Sequence, residues 1–172
     1  MTTVRTIILH GPESSGKTTL GRALAAHLAA PFVPEYGRLY CEAHGNAFGE
    51  AELLHMARGQ RHLIRAARTF ASPSRLVIAD TDALMTAAWA EMSLGRRVQA
   101  LDALPADGDL YLLMADDIPW IDDGIRLHRQ AEERQRFMRL VRAELVRRSV
   151  RFAEIGGSAE ERLQRALAVI DR

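Results

Sequence analysis

Short apolar runs alternate along this chain with longer segments in which apolar residues recur every three or four positions. The short runs predict β-strands at residues 6–9, 32–35, 76–79, 110–114 and 150–155. The longer segments predict helices near residues 16–29, 50–70, 83–92, 130–148 and 158–170. Strands that alternate with helices are typical of a parallel sheet covered on both faces. The pattern therefore predicts an α/β fold in three layers, with a five-stranded parallel sheet flanked by helices.

Composition limits the function of such a fold. The chain has 172 residues, 48% hydrophobic and 26% charged, which suits a single domain over residues 1–172. Its net charge of +1 provides no basic field, so no nucleic-acid partner is expected. Cys41 is the only cysteine, which excludes an intramolecular disulfide and suits a reducing compartment. No apolar run approaches the ~20 residues of a membrane span, so we expect a cytoplasmic protein without membrane insertion.

The segment H-G-P-E-S-S-G-K-T-T lies between the first predicted strand and the first predicted helix. It contains the pattern G-x-x-x-x-G-K-[ST], whose glycines let backbone N–H groups approach phosphate oxygens. These amides meet the N-terminus of a helix, where partial positive charge favours an anion. The segment therefore predicts a binding site for the phosphates of ATP, formed by Gly11, Pro12, Glu13, Ser14, Ser15, Gly16, Lys17, Thr18 and Thr19.

Lys17 is the only lysine among 23 basic residues, and all the others are arginine. An ammonium group is compact enough to be enclosed by the loop, whereas the guanidinium fork is wide and rigid. We therefore expect Lys17 to be a catalytic residue that contacts the β- and γ-phosphates from an exposed position on the loop.

The predicted strand L-V-I-A-D ends in an acid at Asp80. An aspartate in this position orients Mg²⁺ in phosphate-loop proteins, so Asp80 and the Thr18 hydroxyl form the predicted metal site. Asp80 is accordingly placed among the catalytic residues. An aspartate after a strand can also cap the next helix, and we assign Asp82 either to that cap or to a substrate contact.

The sequence P-E-Y-G-R follows the second predicted strand, at residues 34–38. Ligands of open parallel sheets gather at the carboxyl ends of the strands, so Glu35 and Asp80 should converge on the phosphate loop. Glu35 is the predicted base that accepts a proton from an attacking hydroxyl, and Arg38 on the following turn would orient the acceptor. An ion pair between Glu35 and Arg38 at a helix start is the alternative.

Four elements occur in a familiar order: G-P-E-S-S-G-K-T, P-E-Y-G-R, D-T-D followed by T-A-A-W, and D-D-I-P-W-I-D-D-G-I-R. Together they resemble the ribosylnicotinamide kinase domain of the NadR-type proteins, from about residue 5 to residue 157. The resemblance implies a P-loop kinase fold that uses ATP and Mg²⁺. The implied reaction phosphorylates the ribose 5′-hydroxyl of a small molecule, nicotinamide riboside, and gives nicotinamide mononucleotide.

The resemblance also assigns roles to later segments. Residues 116–135 would form a lid, as in kinases of this class, and Arg126 in its D-G-x-R element would stabilise the transferring phosphate. By analogy with the fold, Gly157 after the last strand would lie beside the adenine.

A cationic pyridinium ring calls for an aromatic face or a carboxylate in the acceptor pocket. Pro34 stands where the resembled family places an aromatic residue before the glutamate. The remaining candidates for contact with the acceptor, besides Glu35 and Arg38, are Tyr36, Trp89, Asp82 and Asp123.

Two alternatives remain open from the sequence. The chain could be a P-loop ATPase or a nucleotide-sensing regulatory protein, although a guanine-binding N-K-x-D motif does not occur in it. It could also be a kinase of another nucleoside or small metabolite. The sequence does not give the oligomeric state.

Overall fold

The computed structural model describes residues 3–118 and 131–171. Within these ranges it contains the five strands β1 Arg5–His10, β2 Phe32–Val33, β3 Leu76–Asp80, β4 Leu110–Met114 and β5 Phe152–Ile155. The same ranges contain the helices α1 Lys17–His27, α2 Tyr36–His44, α3 Glu50–Arg68, α4 Ala83–Leu94, α5 Gln99–Asp102, α6 Ala131–Arg147 and α7 Ala159–Ile170.

All the strand pairs are parallel, and the order across the sheet is β2-β3-β1-β4-β5. Strand β1 is central: Ile7 is in register with Ile78 of β3 on one side and with Leu110 of β4 on the other. Because successive side chains of a strand point to opposite faces, the apolar runs of β1, β3 and β4 supply both cores.

One core lies between the sheet and helices α3, α4 and α6, and includes Ile8, Ile64 and Phe137. The other lies between the sheet and helices α1 and α7, and includes Ile7, Leu24, Leu112, Ala166 and Ile170. The predicted three-layer P-loop kinase fold with a five-stranded parallel sheet is therefore confirmed.

Two helices were not predicted. Helix α2 has only nine residues, none of them fully buried, and helix α5 has only four residues. The predicted second strand is shorter than expected: it ends at Val33, and Glu35 is the N-cap of α2. The placement of Arg38 on a turn was therefore wrong, because Arg38 belongs to α2.

The predicted lid at 116–135 lies partly outside the described residues. Its described ends approach each other, since Arg134 of α6 donates to the Asp116 carboxylate at 3.2 Å. In the described part of the chain, no helix has the length and hydropathy that a membrane span requires.

Candidate active site

A cavity opens where the carboxyl ends of the parallel strands meet the N-termini of their helices, as expected for an open α/β sheet. One half of it, which we call the phosphate half, is formed by the loop between β1 and α1. It comprises Gly11, Glu13, Ser14, Ser15, Gly16, Lys17, Thr18 and Thr19. The other half, which we call the acceptor half, is formed by side chains from α2, the α2–α3 loop, α3 and α4. It includes Glu35, Arg38, Cys41, Asn46, Phe48, Met56, Gln60, Met85, Thr86 and Trp89.

Glycines fix the course of the phosphate half. Gly11 has a φ of 145°, and a Cβ there would lie 2.9 Å from the Cβ of Met114. Gly16 is the N-cap of α1, with a φ of 81° in the left-handed region. Both positions therefore exclude ordinary side chains, and the resulting turn delivers backbone amides to the helix N-terminus that an anion would occupy. Pro12 contributes its carbonyl rather than its side chain, accepting hydrogen bonds from Ser15 Oγ and Lys17 Nζ.

The expectation of an exposed Lys17 was wrong. Lys17 is 8% exposed, and its Nζ donates to the carbonyls of Gly11 at 3.0 Å and Pro12 at 2.8 Å. The ammonium is folded back onto its own loop because a buried charge requires hydrogen-bonding partners. It nevertheless lines the cavity. The loop therefore holds its only ammonium group at the wall where phosphate oxygens would lie.

Thr18 and Asp80 are in direct contact: the Thr18 hydroxyl donates to Asp80 Oδ2 at 2.5 Å. Asp80 is 1% exposed, and within the described residues its buried Oδ1 has no hydrogen-bond partner. A buried carboxylate oxygen without a partner is costly, and a hydroxyl beside a carboxylate is an oxygen pair of the kind that Mg²⁺ prefers. These two residues fit the predicted metal site.

Glu35 is partly buried at the junction of the two halves, directly before α2. Burial raises the pKa of its carboxyl group to about 7, and the negative charge of Asp80 adds to the rise. The positive charge of Lys17 acts in the opposite direction. A carboxyl group with a pKa near neutrality is suited to accept a proton from a hydroxyl group at physiological pH.

Gln60 links the segment that carries Glu35 to strand β3, which carries Asp80. Its Oε1 accepts the backbone N–H of Tyr36 at 2.7 Å, and its Nε2 lies 3.3 Å from the carbonyl oxygens of both Asp80 and Thr81. Gln60 is 2% exposed, so these bonds are shielded from water. One buried amide thereby fixes the start of α2, which carries Glu35, relative to the end of β3, which carries Asp80.

Part of the lining of the acceptor half, which we call the aromatic wall, is apolar and aromatic. Trp89 lines the cavity from α4, and its ring packs against Phe137 with centroids 4.6 Å apart. Phe48 reaches the cavity from the α2–α3 loop, and Met56 and Met85 complete this surface. Such a surface suits packing against a flat ring, and Glu35 and Arg38 bring charged groups to the same cavity, where Arg38 also pairs with Glu42 at 3.2 Å.

Two predicted acceptor contacts lie elsewhere. The Tyr36 ring packs over Gly59 on the outer side of α3, and its hydroxyl pairs with His55 Nε2 at 3.0 Å. The Asp82 carboxylate is 0% exposed and caps α4 by accepting the backbone N–H of Leu84. It is also hydrogen-bonded to His10 Nε2 and to the hydroxyl of Tyr111. Burial opposes its ionisation, but the His10 and Tyr111 contacts outweigh this effect and lower the pKa of Asp82. Asp82 therefore has the capping role, and neither residue lines the cavity.

Gly157 also lies outside the cavity lining. Gly157 accepts a hydrogen bond from Arg162 and donates its N–H to Asp117, in a turn that does not line the cavity. Asp123 and Arg126 fall outside the described residues, so their roles remain predictions.

Three kinds of cavity residue escaped the sequence analysis. Asn46 and Phe48 lie in a loop and belong to no motif, so the sequence held no signal for them. Gln60 did have a signal, because it is the polar member of a buried stripe on α3 that consists of Leu53, Met56, Ala57, Gln60 and Ile64. Thr86 is part of the T-A-A-W element, whose helix faces the cavity.

These features define a class: a P-loop nucleotide-binding protein with a kinase-type fold. A family model described as an AAA domain, AAA_28, matches residues 6–162, and the chain belongs to that family. The structure is similar to a thymidylate kinase from Ehrlichia chaffeensis, with a TM-score of 0.73, 17% identity and coverage of 99% of this chain and all of that one. This second likeness concerns the fold alone.

More specific similarity exists to NadR. The trifunctional NAD biosynthesis/regulator proteins NadR of Escherichia coli K12 and Salmonella typhimurium LT2 are each 30% identical to this chain over 158 residues. These alignments cover 88% of this chain and 38% of each relative. A crystal structure of NadR in complex with NR matches with a TM-score of 0.77 and 26% identity, and covers 96% of this chain and 50% of that one. The chain thus spans about 38% of the length of its curated relatives.

Proposed function

We propose that this protein is an ATP-dependent kinase that phosphorylates the ribose 5′-hydroxyl of nicotinamide riboside to give nicotinamide mononucleotide, a step of NAD salvage. The observation that carries the proposal is the meeting of a phosphate-binding loop, a carboxyl group of raised pKa and an aromatic wall in one cavity. The similarity to NadR, which has been crystallised with NR, supports this choice of acceptor. A further NadR structure, in complex with NAD and AMP-PNP, supports a nucleoside triphosphate as donor.

The donor side follows from the loop. Backbone N–H groups of residues 13–18 and the Lys17 ammonium bind the β- and γ-phosphates and stabilise the charge that develops on the transferred group. Thr18 and Asp80 hold Mg²⁺, which when bound neutralises charge on the same phosphates. Lys17 must exchange its contacts with the Gly11 and Pro12 carbonyls for phosphate oxygens on binding.

The acceptor side places the hydroxyl next to the base. Glu35 accepts the proton of the ribose 5′-hydroxyl as the hydroxyl oxygen bonds to the γ-phosphorus. The bond between the γ-phosphorus and the β–γ bridging oxygen breaks, and ADP leaves with that oxygen. Gln60 keeps Glu35 in place through the start of α2. Arg38 lines the same cavity and contacts the ribose or the transferred phosphate.

The aromatic wall receives the nicotinamide ring. The pyridinium carries a positive charge, and Trp89 and Phe48 present π faces that attract cations. Glu13 and Glu35 supply negative charge in the same cavity. Arg126, on the segment outside the described residues, would stabilise the transferring phosphate as part of a lid.

The test is a product assay on the purified protein with Mg²⁺-ATP, with and without nicotinamide riboside. We expect ADP release that depends on the riboside and a product whose mass and phosphorus NMR spectrum identify the 5′-phosphate. ADP release at the same rate without any acceptor would instead identify an ATPase. A folded Lys17→Ala variant serves as the matched control for contaminating kinases.

A further inference from the structure

Arg162 of α7 is a buried cation far along the chain from the phosphate loop. It is 2% exposed and ranks first by volume among the fully buried side chains of the described residues. It also interrupts an apolar stripe, because Arg162, Ala166 and Ile170 are the buried residues of α7. A buried guanidinium is costly to desolvate, so its partners indicate what it holds in place.

Its hydrogen bonds join three separate segments to α7. Nη1 donates to the carbonyl of Ser15 in the phosphate loop at 2.5 Å. Nε donates to the carbonyl of Gly157, after β5, at 2.7 Å. Nη2 pairs with the carboxylate of Asp117, which follows β4, and lies 3.5 Å from the carbonyl of Ala115. Asp117 in turn accepts the N–H of Gly157 at 2.7 Å.

The contact with Ser15 has a geometric consequence for the next residue. The carbonyl of Ser15 and the N–H of Gly16 belong to one planar trans peptide, so they point in opposite directions. Arg162 holds the carbonyl on the α7 side of the loop, and the N–H of Gly16 is thereby aimed to the other side. Gly16 lines the cavity and is the N-cap of α1, so that side is where the phosphates bind.

We infer that Arg162 is a positioning residue for ATP: it holds the Ser15–Gly16 peptide so that the Gly16 N–H faces the phosphates. Its guanidinium fork reaches acceptors on Ser15, Gly157 and Asp117 together, which the single ammonium group of a lysine cannot do. The inference rests on the phosphate-binding part of the proposed function and is independent of the acceptor.

A neighbouring arginine provides the matched control. Arg165 lies on the same helix, donates to the carbonyl of Gly156 at 2.8 Å, and its side chain is 55% exposed. It holds the same turn as Arg162, but its described contacts do not include the phosphate loop. The comparison of Arg162→Gln with Arg165→Gln therefore separates the loss of the Arg162 contacts with Ser15 and Asp117 from a loss of support for the turn alone.

The experiment measures binding of inorganic tripolyphosphate and of a non-hydrolysable ATP analogue by titration calorimetry. For Arg162→Lys and Arg162→Gln we expect about tenfold weaker binding of both ligands. The reason is the loss of the charge-assisted bond to Ser15, which orients the Gly16 N–H as a hydrogen-bond donor to phosphate. In kinetics the KM for ATP should rise while the KM for the acceptor stays within about twofold. Arg165→Gln should match the wild type in all of these measurements.

A spectroscopic readout separates positioning from general loss of structure. In protein labelled with ¹⁵N-glycine, which gives at most 12 backbone signals, the Gly16 amide should shift strongly when tripolyphosphate is added to the wild type. The shift should be much smaller in Arg162→Lys, with the other glycine signals retained. If the Arg162 variants do not fold, Asp117→Asn takes their place, with an expected loss of about threefold, because it weakens the ion pair that orients the guanidinium.

Folded Arg162 variants that bind tripolyphosphate as tightly as the wild type, with an unchanged Gly16 shift, would overturn the inference. So would equal losses in Arg162→Lys and Arg165→Gln. Where Asp117→Asn is the variant used, an unchanged affinity for tripolyphosphate overturns it. A wild-type protein that binds neither ligand contradicts the proposed function itself, which distinguishes the two failures.

Discussion

The two halves of the cavity are built in different ways. The phosphate half comes from eight residues within one stretch, 11–19, and its expected binding groups are mostly backbone amides. Glycine turns and buried bonds from Lys17 and Arg162 to loop carbonyls hold this stretch. The acceptor half is assembled from side chains spread between Glu35 and Trp89, on three helices and a loop. The first half is specified by local sequence, and the second by how the helices pack.

This difference has a functional meaning. A phosphate group is the same in every nucleoside triphosphate, so a fixed backbone cradle suffices for it. The acceptor differs from one kinase to another, and side chains on separate elements can change independently to fit it. We therefore expect substitutions in the phosphate half to affect the rate with any acceptor, and those in the aromatic wall to affect the choice of acceptor.

Lys17→Ala should have the largest effect. Loss of the only ammonium in the phosphate half should lower kcat by about 10³-fold, because its attraction for the phosphate oxygens is strongest in the transition state. Steady-state kinetics on a protein with an unchanged circular dichroism spectrum is the measurement, with Arg22→Ala on the exposed face of α1 as control. A folded Lys17→Ala variant with near-normal kcat would remove the basis for the phosphate half.

Glu35→Gln probes the junction between the halves. It should lower kcat by about 10²-fold and leave the affinity for ATP unchanged, since a general base acts on the acceptor. For the wild type, kcat/KM for the acceptor should rise with pH through a midpoint at or below 7 and reach a plateau above it, because only the deprotonated Glu35 accepts a proton. Mg²⁺ on Asp80 removes part of the repulsion that raises this pKa, which is why the midpoint can fall below 7. A variant that keeps the wild-type pH profile excludes Glu35 as the base.

Asp80→Asn tests the metal site. The amide retains the shape of the carboxylate but not its charge, so the Mg²⁺ concentration for half-maximal activity should rise by about tenfold. The expected defect is corrected by added Mg²⁺, unlike that of Glu35→Gln. If excess Mg²⁺ restores Glu35→Gln and leaves Asp80→Asn impaired, the two roles are reversed.

Trp89→Leu should have the smallest effect, confined to the acceptor half. Loss of the aromatic face should raise the KM for nicotinamide riboside by about fivefold and leave the KM for ATP unchanged. Tyr36→Phe is the control, because the Tyr36 ring lies outside the cavity and only its bond to His55 is removed. A larger effect from Tyr36→Phe than from Trp89→Leu would show that the acceptor binds elsewhere.

The sequence predicted the two halves unequally, for the same structural reason. The parallel sheet follows from the alternation of strands with helices and the loop follows from a contiguous motif, so both could be read from local patterns. Tyr36 was expected in the cavity as an aromatic face for the pyridinium, but it is the first residue of α2 and its ring packs over Gly59 instead. Asn46 and Phe48 reach the cavity only through the packing of α2 against α3, which no spacing in the sequence encodes. Gln60 and Arg162 were detectable as polar residues within buried helical stripes.

The central claim is that the acceptor half selects nicotinamide riboside, and the most direct test is kcat/KM for a panel of acceptors under saturating Mg²⁺-ATP. The panel consists of nicotinamide riboside, its reduced and uncharged form, and the purine and pyrimidine nucleosides. We predict that the cationic riboside has the highest kcat/KM and that the reduced form is several-fold poorer, since the aromatic wall attracts the ring charge. A purine or pyrimidine nucleoside with a higher kcat/KM would contradict the account.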